Sequence, residues 1–186
     1  METEQLALSD DMDIDYKATA NEVRKFLKFR FDKYLDYAGL NSADLSAIDE
    51  SHLSSPKMDA SGVSSHGGVN HMEQALIRIT VAENVCYVVY KTIKSCRQED
   101  KKPYRKILEE AYLNHTDDLR IQAMIGYSST RYDILKRRAL LEFADRVWVY
   151  KVKRHLDDED IPVFYVYKKR AIEGQKEGEN GDAIRL

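Results

Sequence analysis

Apolar residues recur at helical spacing over most of this chain and alternate only near its end. Val23, Phe26, Leu27, Phe31, Tyr34, Leu35 and Ala38 line one face of a helix over residues 17–38. Arg24, Lys25, Lys28, Arg30 and Lys33 fill the rest, and Gly39 closes a basic amphipathic unit of residues 17–40. Ser, Asp, Gly and His dominate residues 41–70, which predicts a flexible linker. Residues 71–98 contain no Gly or Pro and repeat Met72, Ala75, Leu76, Ile79, Ala82, Cys86, Val89, Tyr90 and Ile93 at helical spacing. Val85, Tyr87 and Val88 widen that stripe, which predicts burial on more than one side or pairing with a second subunit. Pro103 suits the first turn of a further helix over residues 103–114, packed through Ile107, Leu108, Ala111, Tyr112 and Leu113.

The segment from Thr116 to Phe143 predicts two helices joined by a tight turn. Thr116 can cap the first, with Asp117 and Asp118 complementing the positive end of its dipole. Leu119, Ala123 and Met124, with Ile121 and Ile125 beside them, form a short apolar stripe, and Ala123 is small enough to let a second helix cross closely. Gly126 stands where a left-handed turn is needed. Ser128, Ser129 and Thr130 offer caps for the second helix, which buries Tyr132, Leu135, Ala139, Leu140 and Phe143. Its other face carries Arg131, Lys136, Arg137 and Arg138. One face can pack while the other enters a nucleic-acid groove, so residues 117–146 are a candidate helix-turn-helix inside a helical domain of residues 71–146. In that geometry Ser128, Ser129, Thr130, Arg131 and Asp133 lie toward base edges, and Lys136, Arg137 and Arg138 toward phosphates. A solvated charged face on an ordinary helix is the competing reading.

Residues 147–170 switch to alternation. VWVYKVKR and VFYVYKKR, separated by HLDDEDIP, predict a small β-hairpin, or one strand and a variable arm. The expected fold class is mainly α: a helical bundle with a helix-turn-helix and a small C-terminal β-hairpin or strand. Residues 1–16 and 171–186 are expected to be disordered, the first acidic and the second polar and Gly-rich.

Charge changes the picture by its distribution. The chain carries a formal net charge of -3. Residues 1–16 hold six acids and no Lys or Arg, whereas residues 101–146 hold ten bases against seven acids. Positive charge is therefore local, as a groove-binding element requires. Cys86 and Cys96 lie ten residues apart on one predicted helix, about 15 Å along its axis, too far for a disulfide. Reduced thiols fit a cytoplasmic protein, and no apolar run approaches a membrane span. His52, His66 and His71 match no compact zinc spacing, so no metal is expected. Asp157, Asp158, Glu159 and Asp160 are consecutive acids that cannot all converge on one ion. No phosphate loop, nucleophile elbow or catalytic set emerges, so neither an enzyme nor a cofactor is expected.

The segment PYRKILEEAYLN…DLRIQAMIGYSSTRYDILKRRALLEFAD resembles the ArpU family of phage and prophage transcriptional regulators of Gram-positive bacteria. More distantly it is similar to the promoter-binding C-terminal domain of bacterial sigma factors. VRKFLKFRFDKYLDYAGL, the linker SSPKMDASGVSSHGGVN, the long helix and the helix-turn-helix follow in the family's order over roughly residues 17–170. Asp133 and Ile134 stand where the sigma pattern tends to carry Arg and Gln. The resemblance implies a sequence-specific regulator that binds double-stranded DNA and activates late packaging or lysis genes. A small-terminase-like packaging protein and a module that binds RNA polymerase or sigma without reading DNA are the alternatives. A homodimer built on the helices of residues 17–38 and 71–98 is expected, because one short module carries few base contacts.

Overall fold

Asp15 starts the first helix by accepting hydrogen bonds from the backbone N–H groups of Lys17 and Ala18, at 3.0 and 2.9 Å. In the computed structural model, which describes residues 13–48, 53 and 71–168, helix α1 spans Tyr16–Lys25. It runs through a π-helical segment, Phe26–Arg30, into α2, Phe31–Ala38. The apolar spacing explains the π segment. Val23, Leu27, Phe31 and Leu35 recur every fourth residue, whereas an α-helix turns in 3.6. A straight α-helix would rotate this stripe off the core. The wider i→i+5 turn, closed by Phe31 N–H on the Phe26 carbonyl, resets it, and all four residues are buried. Gly39, at φ 65°, ends α2 in the left-handed conformation.

A 3-10 turn, Asp44–Ala47, follows, with Leu45 fully buried. Helix α3, His71–Ser95, packs against α2 and against the long helix α6, Ser129–Lys153. Its second half is buried on several sides: Val85, Cys86, Tyr87, Val88 and Val89 are consecutive core residues. Its first half, residues 71–79, is exposed throughout. Strands β1, Gln98–Glu99, and β2, Lys102–Pro103, form a two-stranded antiparallel hairpin. Helix α4, Tyr104–Leu108, continues into a second π segment, Glu109–Leu113. Helix α5, Asp118–Ile125, and helix α6, Ser129–Lys153, complete the regular elements.

The molecule is thus mainly helical with a small antiparallel sheet. The hairpin, however, lies at residues 98–103, ahead of the helix-turn-helix. Residues 147–153, whose alternation predicts a strand, continue α6 instead. Val147, Lys151 and Arg154 are buried at spacings of four and three, which is helical. Lys151 and Arg154 bury their stems and pair their heads, so the stripe does not look apolar in sequence. Lys151 Nζ donates to Asp158 and to the Ile161 carbonyl, and the Arg154 guanidinium sits 4.6 Å from the centre of the Tyr87 ring.

The second half of the expected hairpin is extended, but its partner is the start of the chain. Ile14 and Tyr167 form an antiparallel bridge. The Asp15 N–H donates to the Val166 carbonyl at 2.7 Å, and the Val166 N–H donates to Thr19 Oγ1 at 3.0 Å. Residues 13–16, expected to be disordered, are held by these bonds. Phe164 closes the joint edge-on against Phe26 and Phe143, at centroid distances of 5.3 and 6.1 Å. The acidic turn after α6 is tied to the first helix, with Arg30 donating to the Glu159 carbonyl and Tyr34 to that of Asp160. Burial raises the Asp160 carboxyl, and the neighbouring Asp157 raises it further.

The expected linker begins later than residue 41, because Leu45 is core and Ile48 and Leu53 pack against it. Apolar residues scattered in polar sequence carry no period, so their docking is invisible to a periodicity argument. The remainder of the linker, residues 1–12 and the tail after residue 168 lie outside the described residues.

Candidate nucleic-acid interface

Helix α5 begins at Asp117, not Thr116. The Asp117 carboxylate accepts from the Arg120 N–H at 3.0 Å, while the Thr116 hydroxyl donates to Glu110 at 2.8 Å. Gly126 ends α5 at φ 70°. Ser128, in extended conformation, then starts α6, its carbonyl accepting from the Tyr132 N–H at 2.8 Å; its hydroxyl makes no capping bond. Two helices joined by Gly126, Tyr127 and Ser128 stand where the sequence predicts two helices and a tight turn.

The packing between the two helices departs from expectation. Ile121 is the buried residue of α5, whereas Leu119, Ala123 and Met124 are exposed. The helices do not cross at Ala123. Asp118 supplies a polar clamp in its place, accepting from Tyr132 Oη at 2.7 Å and from Lys136 Nζ at 2.6 Å. Lys136 also lies 5.7 Å from the centres of both the Tyr112 and Tyr132 rings. Partial burial pushes the Asp118 carboxyl upward, but the hydrogen bonds from Lys136 and Tyr132 and the nearby positive charges outweigh it and hold it below its usual range. Burial raises the Tyr132 phenol, and the Asp118 carboxylate raises it further.

The clamp sorts the candidate residues. Ser128, Ser129, Thr130, Arg131, Asp133, Arg137 and Arg138 are all exposed. Lys136 is not with them: its side chain is 14% exposed and turned toward Asp118. Asp133 joins Lys136, Asp118, Arg24 and Lys28 along a cleft of about 620 Å³ between the first helix and the helix-turn-helix. The outward face of α6 therefore presents Thr130, Arg131, Ile134, Arg137 and Arg138, backed by buried Tyr132, Leu135, Ala139 and Leu140.

Two further cations flank this surface. Arg120 on α5 is 79% exposed beside Asp117. As the lone positive charge on a short helix, it was the available sequence signal. Lys101 is exposed at the hairpin tip, which Tyr127 ties to the helix-turn-helix by donating to the Asp100 carbonyl at 2.8 Å. A contact between residues 27 apart leaves no periodic trace. At the hairpin's base, buried Glu142 of α6 accepts from the Arg97 N–H at 3.0 Å and from Arg146 Nε at 2.8 Å.

Cys86 and Cys96 are buried free thiols, both pushed up to about 12 by burial. Such thiols are unreactive. Of the three linker histidines only His71 lies among the described residues, where no group of His, Cys, Asp and Glu is placed to hold a metal ion. No helix among the described residues is long and apolar enough to cross a membrane. No family model matches this chain, and neither a curated protein nor a solved structure matches it.

Proposed function

We propose that this chain is a sequence-specific DNA-binding transcriptional regulator of a phage or prophage, acting on double-stranded DNA through the first turns of α6. The observation that carries this reading is the outward face of α6, where Thr130, Arg131, Arg137 and Arg138 are exposed directly after a glycine-ended turn. Helix-turn-helix docking places these turns in the major groove. The resemblance of the segment to ArpU regulators supports the same reading, and with it activation of late genes. Arg131 stands nearest the helix start and is assigned to a base edge, Arg137 and Arg138 to phosphates.

A gel-shift titration over a range of salt tests this. Arg137→Ala should weaken all duplexes alike and lower the salt slope by about one. Arg131→Ala should relax preference at one position, at a cost of about 1–3 kcal/mol. Binding unchanged in both variants would remove α6 from the groove.

A second reading has its own observation. Trp148 and Val163 are 58% and 55% exposed beside a groove of about 430 Å³ that Phe164 and Val147 also line. An apolar surface of this kind suits a protein partner, such as RNA polymerase. A chain that only bound such a partner would show no salt-dependent affinity for DNA. A packaging role would require a ring of subunits, which mass measurement distinguishes from a dimer.

A further inference from the structure

Within the basic turns of α6 one residue serves neither the core nor a phosphate. Ile134 is 37% exposed and lies outside the buried core. Thr130, Arg131, Arg137 and Arg138 lie three or four positions to either side, so they share its face of the helix. A β-branched side chain is a weaker helix former than the Arg or Lys that surround it. At an exposed position it therefore contributes nothing to α6 that a longer polar residue would not.

The chemistry of the groove supplies its role. Thymine is the base that presents a methyl group, at C5, on the major-groove edge, and apolar side chains read it by contact. An aliphatic tip flanked by guanidinium groups matches that edge, with Arg131 directed to a neighbouring base and Arg137 and Arg138 to the backbone. We propose that Ile134 reads a thymine C5-methyl, so that the preferred duplex carries thymine at one fixed position of the site α6 enters. This assignment rests on the DNA-binding reading above.

The test begins with selection of duplexes from a random library by the full chain. Each thymine of the selected site is then replaced singly by uracil, which removes the methyl and keeps the base pair. One replacement should weaken wild-type binding roughly fourfold, the effect of one buried methyl-sized group. Ile134→Ala should bind the thymine and uracil forms equally and still melt cooperatively, well above the temperature of the binding assay. Selected duplexes whose thymine-to-uracil changes are all neutral would overturn the assignment and leave DNA binding intact. So would an Ile134→Ala variant that kept the wild-type discrimination. Failure to enrich any duplex would overturn the DNA-binding reading and this assignment together.

Discussion

Lys136 carries its charge into the protein, between two tyrosine rings and the Asp118 carboxylate. Its removal should be felt as lost stability before lost affinity. Lys136→Met keeps the stem, unpairs a carboxylate that is 54% exposed, and should cost no more than about 1 kcal/mol in a thermal melt. The pH dependence has a definite sign. The folded Asp118 pKa is lowered, so its contribution is present above the ordinary carboxylate range and is lost as pH falls through the folded value. Asp118→Asn should therefore flatten the acid limb of stability below about pH 4. An unchanged limb would mean the clamp does not hold in solution. Lys151 is the contrasting case, because it is buried and serves the carbonyl of fully buried Ile161. Lys151→Met should cost about 1–3 kcal/mol by orphaning that carbonyl, whereas Asp158, 70% exposed, loses only a solvated partner.

Among the elements, α6 carries the sharpest test, since the same residues alternate as a strand would and bury as a helix does. Val149 is exposed within it, so Val149→Pro should cost about 3 kcal/mol or more through the helix backbone alone. A much smaller loss would restore the strand. Ala123→Leu, which an interhelical crossing would forbid, should change stability by less than about 0.5 kcal/mol, because Ala123 is exposed. These two cases mark where local pattern stops informing. The helices, the turn at Gly126 and the buried set Tyr132, Leu135, Ala139, Leu140 and Phe143 were legible, because period and glycine chemistry are local. The exposed character of Arg131, Arg137 and Arg138 followed from the same period. The Lys136 clamp was not legible, because Asp118 reaches it across 18 residues. Nor were the last turns of α6, whose inner face is made of Lys151 and Arg154, or the 98–103 hairpin, two residues to a strand and polar throughout apart from Pro103.

At the scale of the whole molecule the helices of residues 17–38 and 71–98 do meet, but within one chain: α2 covers the second half of α3. What it leaves bare is the first half, where Met72, Leu76 and Ile79 are 71%, 59% and 40% exposed. These residues are where the proposed homodimer contact would form. Light scattering should then give about twice 21.6 kDa, and Leu76→Glu should return the mass to 21.6 kDa without lowering the melting temperature. A wild-type mass of 21.6 kDa that stays fixed on dilution and on adding DNA would sink the dimer. The bridge between Ile14 and Tyr167 has a different consequence, one of timing. Helix α1 finds its partner in α6, and Phe26 finds Phe164, both more than a hundred residues along the chain. Until they emerge, Phe26 lacks its ring partner, and closing so long a loop is slow. Synthesis therefore leaves the Phe26 ring open to solvent, and to chaperones, well after α3 has emerged to cover α2.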